Sequence, residues 1–306
     1  MIVDVHSHLF TFDINEKSGI ANFLGGECKR IAKIMGIDET KENLIKKGIQ
    51  LWSDIQGDKL IKRMDEAGID FTVVCVVDDI DLHSDEIQHF NKSVSDIANK
   101  YPERLTAYAG IDPRRPDALD MLEQCLEEYG MTGLKYHPDF GYDPSGRESY
   151  ILLEYLERNN GILLTHTGPL PRQRSKYSDP MLLADILADF SELKVIAAHM
   201  GGINWRPWAA LASFNLNLYG DLSMWGPYAF GKFELFCREL RDIIDYVGVE
   251  KVLFGSDSPV YDVVLPVKDL IEKIKNLPNE APQGIDFTKG EIDAILGVNA
   301  AKLLNL

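Results

Sequence analysis

Cysteine is scarce and scattered in this chain. Its four cysteines, Cys28, Cys75, Cys125 and Cys237, form no Cys-x-x-Cys pair, which speaks against a zinc-thiolate knuckle, a redox dithiol or a disulfide framework. Cys75 sits in the apolar run FTVVCVV, where a thiol behaves as a small buried hydrophobe. No apolar stretch approaches the roughly 18–20 residues that span a bilayer. The opening MIVDVHSHLF lacks the basic and apolar regions of a signal peptide. Positive charge is short as well: 32 Lys and Arg stand against 48 Asp and Glu, a formal net charge of −16. That excess repels phosphate backbones and anionic lipid, so no nucleic-acid or membrane partner is expected, and an anionic substrate would need a local basic patch. A soluble, cytoplasmic protein acting on a small molecule is expected, with a homo-oligomer left open.

What is present is ordinary globular material, 45% hydrophobic and 26% charged over 306 residues. That length suits two domains or one barrel with an insertion. Short β-branched runs recur: IVDVHSH (2–8), FTVVCVV (71–77), LTAYAGI (105–111), TGLKYH (132–137), GILLTH (161–166), KVIAAH (194–199), LNLYGDLS (216–223) and KVLFGSD (251–257). Apolar on both faces, they suit strands of a buried parallel sheet. From the second run onward they start 22 to 35 residues apart, the length of a strand, a crossover helix and two loops. Helical periodicity fills the gaps, as in Ile87, Phe90, Val94 and Ile97 or Leu119, Leu122, Cys125 and Leu126. Eight such units predict a (β/α)8 TIM barrel, with a doubly wound open sheet as the alternative.

One interval is too long. Asp58–Ala67 has the pattern of the first crossover helix, which leaves residues 10–57 as an insertion in the first βα loop, with helical stretches at Glu27–Met35 and Lys41–Ile55. On the C-terminal face of a barrel it is a candidate lid; a decorative or oligomer-forming excursion is the other reading. The tail, residues 278–306, carries an amphipathic helix over Glu291–Leu304 that is expected to pack on the barrel, so residues 1–306 are expected to form one domain.

Five of the seven histidines fall at the C-terminal ends of these runs: His6 and His8, His137, His166 and His199. The eighth run ends in Asp257. Strand C-termini converge on one mouth in a barrel, so these side chains would meet. Side chains alternate along a strand, so His6 and His8 point to one site. Imidazoles with a carboxylate make a divalent-cation site, zinc first, with manganese or iron as alternatives. His83 and His89 lie outside this pattern.

The motifs VDVHSH, GLKYHP, LLTHTG, AAHMGG and LFGSDSP, in this order over residues 1–275, resemble the amidohydrolase superfamily. More closely, the chain is similar to the amidohydrolase-related group that includes aminocarboxymuconate-semialdehyde decarboxylase. The resemblance implies one divalent metal ion held by His6, His8, His166 and Asp257, with His199 beside it as the catalytic histidine. General chemistry agrees: a cation lowers the pKa of water, and Asp257 is placed to take the proton.

Lys135 and His137 lie two apart on the fourth run. In some binuclear members of the superfamily a lysine here is carbamylated and bridges two metals. The preferred reading is a cationic lysine contacting a substrate anion or balancing Asp257, with His137 completing the pocket wall. Arg172 and Arg174, near Tyr177, are the candidate basic patch for a carboxylate, against a solvated loop of equal weight. Trp205, Arg206 and Trp208 follow the sixth run and suit a planar substrate, though packing explains them as well. The expected activity is a metal-dependent hydrolase of an amide, lactone or ester bond. The alternative is a non-oxidative decarboxylase, a carboxy-lyase of an unsaturated or aromatic carboxylate. Some decarboxylases of this kind carry glutamate in place of the first histidine of His-x-His; His6 leans slightly toward the hydrolase or the semialdehyde type of decarboxylase.

Overall fold

The structure, a computed structural model, describes residues 1–170 and 173–306. In chain order the elements are β1 (Val3–His8), α1 (Gly19–Ile34), α2 (Lys41–Trp52), α3 (Asp58–Ala67), β2 (Phe71–Cys75), α4 (Ser84–Lys100), β3 (Leu105–Gly110) and α5 (Ala118–Glu127). Then come β4 (Gly133–Tyr136), α6 (Arg147–Arg158), β5 (Ile162–His166), α7 (Leu183–Asp189), β6 (Lys194–Ala198), α8 (Arg206–Ala212) and β7 (Leu218–Asp221). The chain ends with α9 (Gly226–Gly231), α10 (Phe233–Val247), β8 (Val252–Leu253), α11 (Val267–Lys275), α12 (Leu277–Glu280), α13 (Lys289–Asp293), a π-helical turn (Ala294–Val298) and α14 (Asn299–Leu304). The eight strands form one sheet in the order β1 to β8, with helices between them, a (β/α)8 TIM barrel. Each of the eight apolar runs contains one strand. Among the described residues no helix is long and apolar enough to cross a membrane.

The chain divides into two compact units: Met1–Thr72 with Leu222–Asp245 and Leu253–Leu306, and Val73–Asp221 with Tyr246–Val252. In the second unit β3 to β7 form a parallel ladder whose register pairs Tyr108 with Gly133, Lys135 with Leu164, His166 with Ala198 and Ala197 with Gly220. Nearly every residue of these strands is buried, as parallel strands covered on both faces require.

In the first unit β1 is buried throughout. The chain runs alongside it well beyond the two residues of β8. Val5 N–H donates to Phe254 O at 3.0 Å, Asp257 N–H to His6 O at 2.8 Å and His8 N–H to Ser258 O at 2.6 Å. The insertion forms α1 and α2. Ser18 caps α1 by accepting from Ala21 N–H, and Thr40 caps α2 by accepting from Asn43 N–H. Ala21, Leu24, Cys28, Ile31, Leu44, Ile45 and Trp52 from this segment build one apolar cluster with Val260 and Tyr261. The C-terminal turn lies against the start of the chain, where Gly297 leaves room for the Met1 carbonyl.

Candidate metal and acid–base centres

On β1, the residues Asp4, His6 and His8 share one face, two residues apart, and all are buried. His8 Nε2 lies 3.0 Å and His6 Nε2 3.7 Å from the same Asp257 oxygen, Oδ1. The ligand atoms of the three side chains all fall within 4.8 Å of one another. His6 Nδ1 is 3.1 Å from Ser223 Oγ. Asp257 adopts a left-handed φ of 60°, uncommon outside glycine and asparagine, which is local strain held by the bond to His6 O. Beneath them Asp4 accepts from Ser256 N–H at 2.9 Å, Ser256 Oγ–H at 2.6 Å and His6 N–H at 3.2 Å. Burial outweighs those bonds and pushes the Asp4 carboxyl up to about 7. Asp4 therefore ties the strand of two histidines to the turn that carries Asp257.

Two buried imidazoles against a carboxylate form a nitrogen and oxygen donor set that suits a divalent cation. His8 Nε2 faces Asp257, while its Nδ1, on the other side of the ring, is buried with no hydrogen-bond partner.

In the second unit the ends of β4, β5 and β6 bring three histidines into a row. The His137 and His166 rings stack with centroids 4.8 Å apart and 14° between planes, and His166 meets His199 edge-on at 4.8 Å. His166 Nε2 lies 3.1 Å from Gly168 O, an obligate acceptor, so the proton sits on Nε2. Its Nδ1 lone pair then faces His199 Nε2 at 3.1 Å, and that nitrogen must donate. Backbone geometry fixes His199: its φ is 65°, its N–H donates to Asp221 Oδ1 at 3.0 Å, and Met200 follows at φ 54°. Thr167 Oγ–H donates to Ala198 O at 2.5 Å while its oxygen accepts from Gly201 N–H at 2.8 Å, closing the turn.

His137 Nδ1 is 2.9 Å from Asp139 Oδ1. Burial lowers the His137 pKa to about 3, so the ring is neutral and its Nδ1–H donates. Burial alone would raise the Asp139 carboxyl, yet His166 and His137 beside it hold it below the usual carboxylate range. Asp139 Oδ2 is buried and makes no hydrogen bond.

The remaining candidate residues are placed as follows. Lys135 is buried on β4, two residues before His137. Arg174 is exposed, and its N–H donates to Asp139 O at 2.7 Å. Arg172 lies outside the described residues. Trp205 is 1% exposed, with its ring 6.1 Å from Tyr246 and the Arg206 guanidinium 4.3 Å from its face. Sequence reasoning missed Asp4 and Asp139, although their spacing of two from His6 and His137 was a usable signal. It also missed an ion-pair group after β2 and β3. Arg115 grips Asp78 through Nε at 2.7 Å and Nη2 at 2.5 Å, and Arg114 grips Asp112 through Nε at 2.9 Å and Nη2 at 2.6 Å. The DPRRP segment was the trace of it.

A buried pair of histidines with an aspartate, and a histidine row, lie at strand ends of a (β/α)8 barrel. The chain belongs to the amidohydrolase family, whose sequence pattern matches residues 3–306. Among curated proteins, none matches the sequence. Solved structures do. An uncharacterised TIM-barrel protein from Bordetella bronchiseptica superposes with a TM-score of 0.71 at 19% identity, over 99% of this chain and 98% of that one. A probable 2-pyrone-4,6-dicarboxylic acid hydrolase from Acinetobacter baumannii gives 0.66 at 18%, over 100% and 99%. A dihydroxybenzoic acid decarboxylase from a Polaromonas species, solved with bound manganese, gives 0.65 at 17%, over 100% and 97%. At such identities the likeness shows the fold alone.

Proposed function

We propose that the protein is a metal-dependent hydrolase that opens an amide, lactone or ester bond of a small molecule, with one divalent cation held by His6, His8, His166 and Asp257. The observation that carries this reading is the Asp257 carboxylate 3.0 Å from His8 and 3.7 Å from His6, all three buried. Imidazole and carboxylate donors suit a catalytic zinc, which takes three or four of them and keeps a position for water; zinc is our first choice, with manganese next because the Polaromonas decarboxylase carries it. A bound cation supplies Lewis acidity there, polarising a substrate oxygen and lowering the pKa of water.

The chain's own residues do the rest. The lone pair that His166 can offer is on Nδ1, since Gly168 O holds the other nitrogen's proton. His199 Nε2–H then donates to a substrate carbonyl or carboxylate oxygen, a role its left-handed backbone and its bond to Asp221 pre-organise. Asp257 takes the proton from the attacking water. Lys135, buried beside His137, balances negative charge on the substrate or on Asp257. Four free, buried cysteines support a reducing, cytoplasmic location.

A metal-dependent decarboxylase is the second reading. The cationic side chains of Lys135 and Arg174 favour it, because both suit a carboxylate, as does the decarboxylase among the similar structures. In that case His199 would hold the departing carboxylate's oxygen and a protonation would replace attack by water. The deciding experiment gives the metal-loaded protein a panel of lactones, amides and aromatic carboxylates and follows acid release and carbon dioxide together. Acid release without carbon dioxide supports the hydrolase. Carbon dioxide release overturns it in favour of the lyase.

A further inference from the structure

We infer that the outer face of α8, with the loop that follows it, is an interface where a second copy of this chain packs across a two-fold axis. The inference is independent of the metal-dependent reading above.

The loop before β7 is inverted. Phe214 is 94% and Leu216 85% exposed, while the polar Asn215 and Asn217 beside them are partly buried. Loops usually turn amides outward and apolar groups inward, because water solvates the one and is released by covering the other. Looseness does not explain the reversal, since the loop is pinned. Lys251 Nζ–H donates to Asn215 O and to Leu216 O, both at 2.8 Å. Asn217 N–H donates to Asn215 Oδ1 at 2.9 Å, and Asn217 Nδ2–H to Ser191 O at 2.7 Å. Phe214 and Leu216 are therefore held outward.

The exposed apolar surface continues along α8. Arg206, Ala210 and Phe214 are spaced by four and share the exposed face, flanked by Pro207 and Leu211, while Trp208, Ala209 and Ala212 are buried. Ile203, 75% exposed, stands before the helix. Tyr246, 68% exposed, lies beside it, with its carbonyl 3.2 Å from Ser213 Oγ. Contiguous exposed apolar surface of this kind marks an interaction site. A stable interface takes roughly 800 Å² from each partner. Two aromatic rings, at about 150–250 Å² each, with two aliphatic side chains and the helix face, supply its apolar core.

Two features select a second copy as the occupant. Residues 193–220 hold no Asp or Glu, although 48 of the 306 residues are acidic and the net charge is −16. Two copies meeting elsewhere would set carboxylates against carboxylates; here they approach without that repulsion, whereas a basic partner would be drawn to the acidic surface instead. The face is also self-complementary. It is small in the middle, at Ala210, and bulky at its ends, at Ile203 and Phe214. Crossed antiparallel at Ala210, two such helices place Phe214 of each copy beside Arg206 of the other, where a guanidinium stacks on an aromatic ring. That is the isologous contact a two-fold axis requires.

Sedimentation velocity on the full-length protein at micromolar concentrations tests this. The parent protein is expected to run as a species of twice 34.5 kDa. Phe214→Glu should raise the dissociation constant at least about a hundredfold, as the loss of an aromatic anchor from each copy does. The four native cysteines are buried, so a single exposed cysteine can be addressed. Ala210→Cys, at the crossing, should be linked into a covalent dimer by a short bis-maleimide far faster than Ile151→Cys, an exposed position on α6. A monomeric parent protein, a dimer that survives Phe214→Glu, or equal linking of the two cysteine variants overturns the inference. The first of these outcomes would leave the face to a different protein.

Discussion

In the first unit His6 and His8 face a carboxylate, Asp257, and a second carboxylate, Asp4, is buried beneath them. In the second unit His166 and His199 face each other, and Asp139 stands behind His137 at the far end of the row. The first group sets imidazole nitrogens against carboxylate oxygens. The second sets imidazole against imidazole along strand ends. The same residue type is thus set in two surroundings, and what differs is the partner each ring is given.

The largest effect should come from removing the carboxylate of the first centre. Asp257→Asn keeps the size of the side chain and takes away its charge, so the protein is expected to lose its tightly bound ion on dialysis and its turnover with it. His199→Ala should behave differently, keeping the ion and the fold while turnover falls roughly 10²–10⁴-fold, the usual worth of a positioned proton donor. Elemental analysis and rate measurements on the two variants together are decisive. Equal metal loss in both would make His199 a ligand rather than a proton donor.

Metal number sharpens the same contrast. With Lys135 as a cation, Lys135→Met should retain one ion per chain and weaken the binding of an anionic substrate. If the lysine instead carries a bridging carbamate, two ions are present in the parent protein and at least one is lost in the variant.

The strands and their terminal histidines were legible because parallel strands buried on both faces write continuous apolar runs, and because a side chain at the C-terminal end of a run marks the barrel mouth. The eighth run was read to Asp257 although regular strand ends at Leu253, since the backbone beyond it still pairs with β1 while Asp257 turns left-handed. The start of α1 was placed at Glu27; the helix begins at Gly19, because Ser18 caps it and Ala21 and Leu24 enter the cluster around Trp52. Asp4 and Asp139 escaped because a lone aspartate beside a strand is common, and only the fold shows that these two touch the histidine centres. The outward turn of Phe214 and Leu216 depends on Lys251 and Ser191, which are distant in sequence. No local pattern announces it.

A smaller effect is expected inside the insertion, which has its own packed core. A Cβ at Gly48 would run into the Trp52 ring, and Trp52 is fully buried. Gly48→Ala should therefore lower stability by about 1–3 kcal/mol, the range for overpacking, with thermal unfolding as the measurement. Unchanged stability would mean that α2 shifts freely over the cluster, as a loosely held lid would.

The smallest effect tests whether that insertion serves the carboxylate centre. Val260 O accepts from Trp52 Nε1–H at 3.2 Å and from Cys28 Sγ–H at 3.1 Å, while Val260 N–H donates to Asp257 O at 3.1 Å. Both inserted helices thus hold the turn that aims Asp257. Trp52→Phe removes one of these donors and keeps an aromatic ring in the cluster. A buried hydrogen bond is worth about 1 kcal/mol net, so stability should fall by that order, and the thiol still partly satisfies the carbonyl. If the insertion anchors Asp257, the affinity for metal, measured by competition with a chelator, should fall in parallel by about threefold to tenfold, while KM for substrate at saturating metal stays near its original value. A lid would show the reverse, with metal affinity untouched and KM raised. The metal titration and the substrate titration of this one variant therefore decide whether the first unit's insertion acts on the cation's carboxylate or on access to the site.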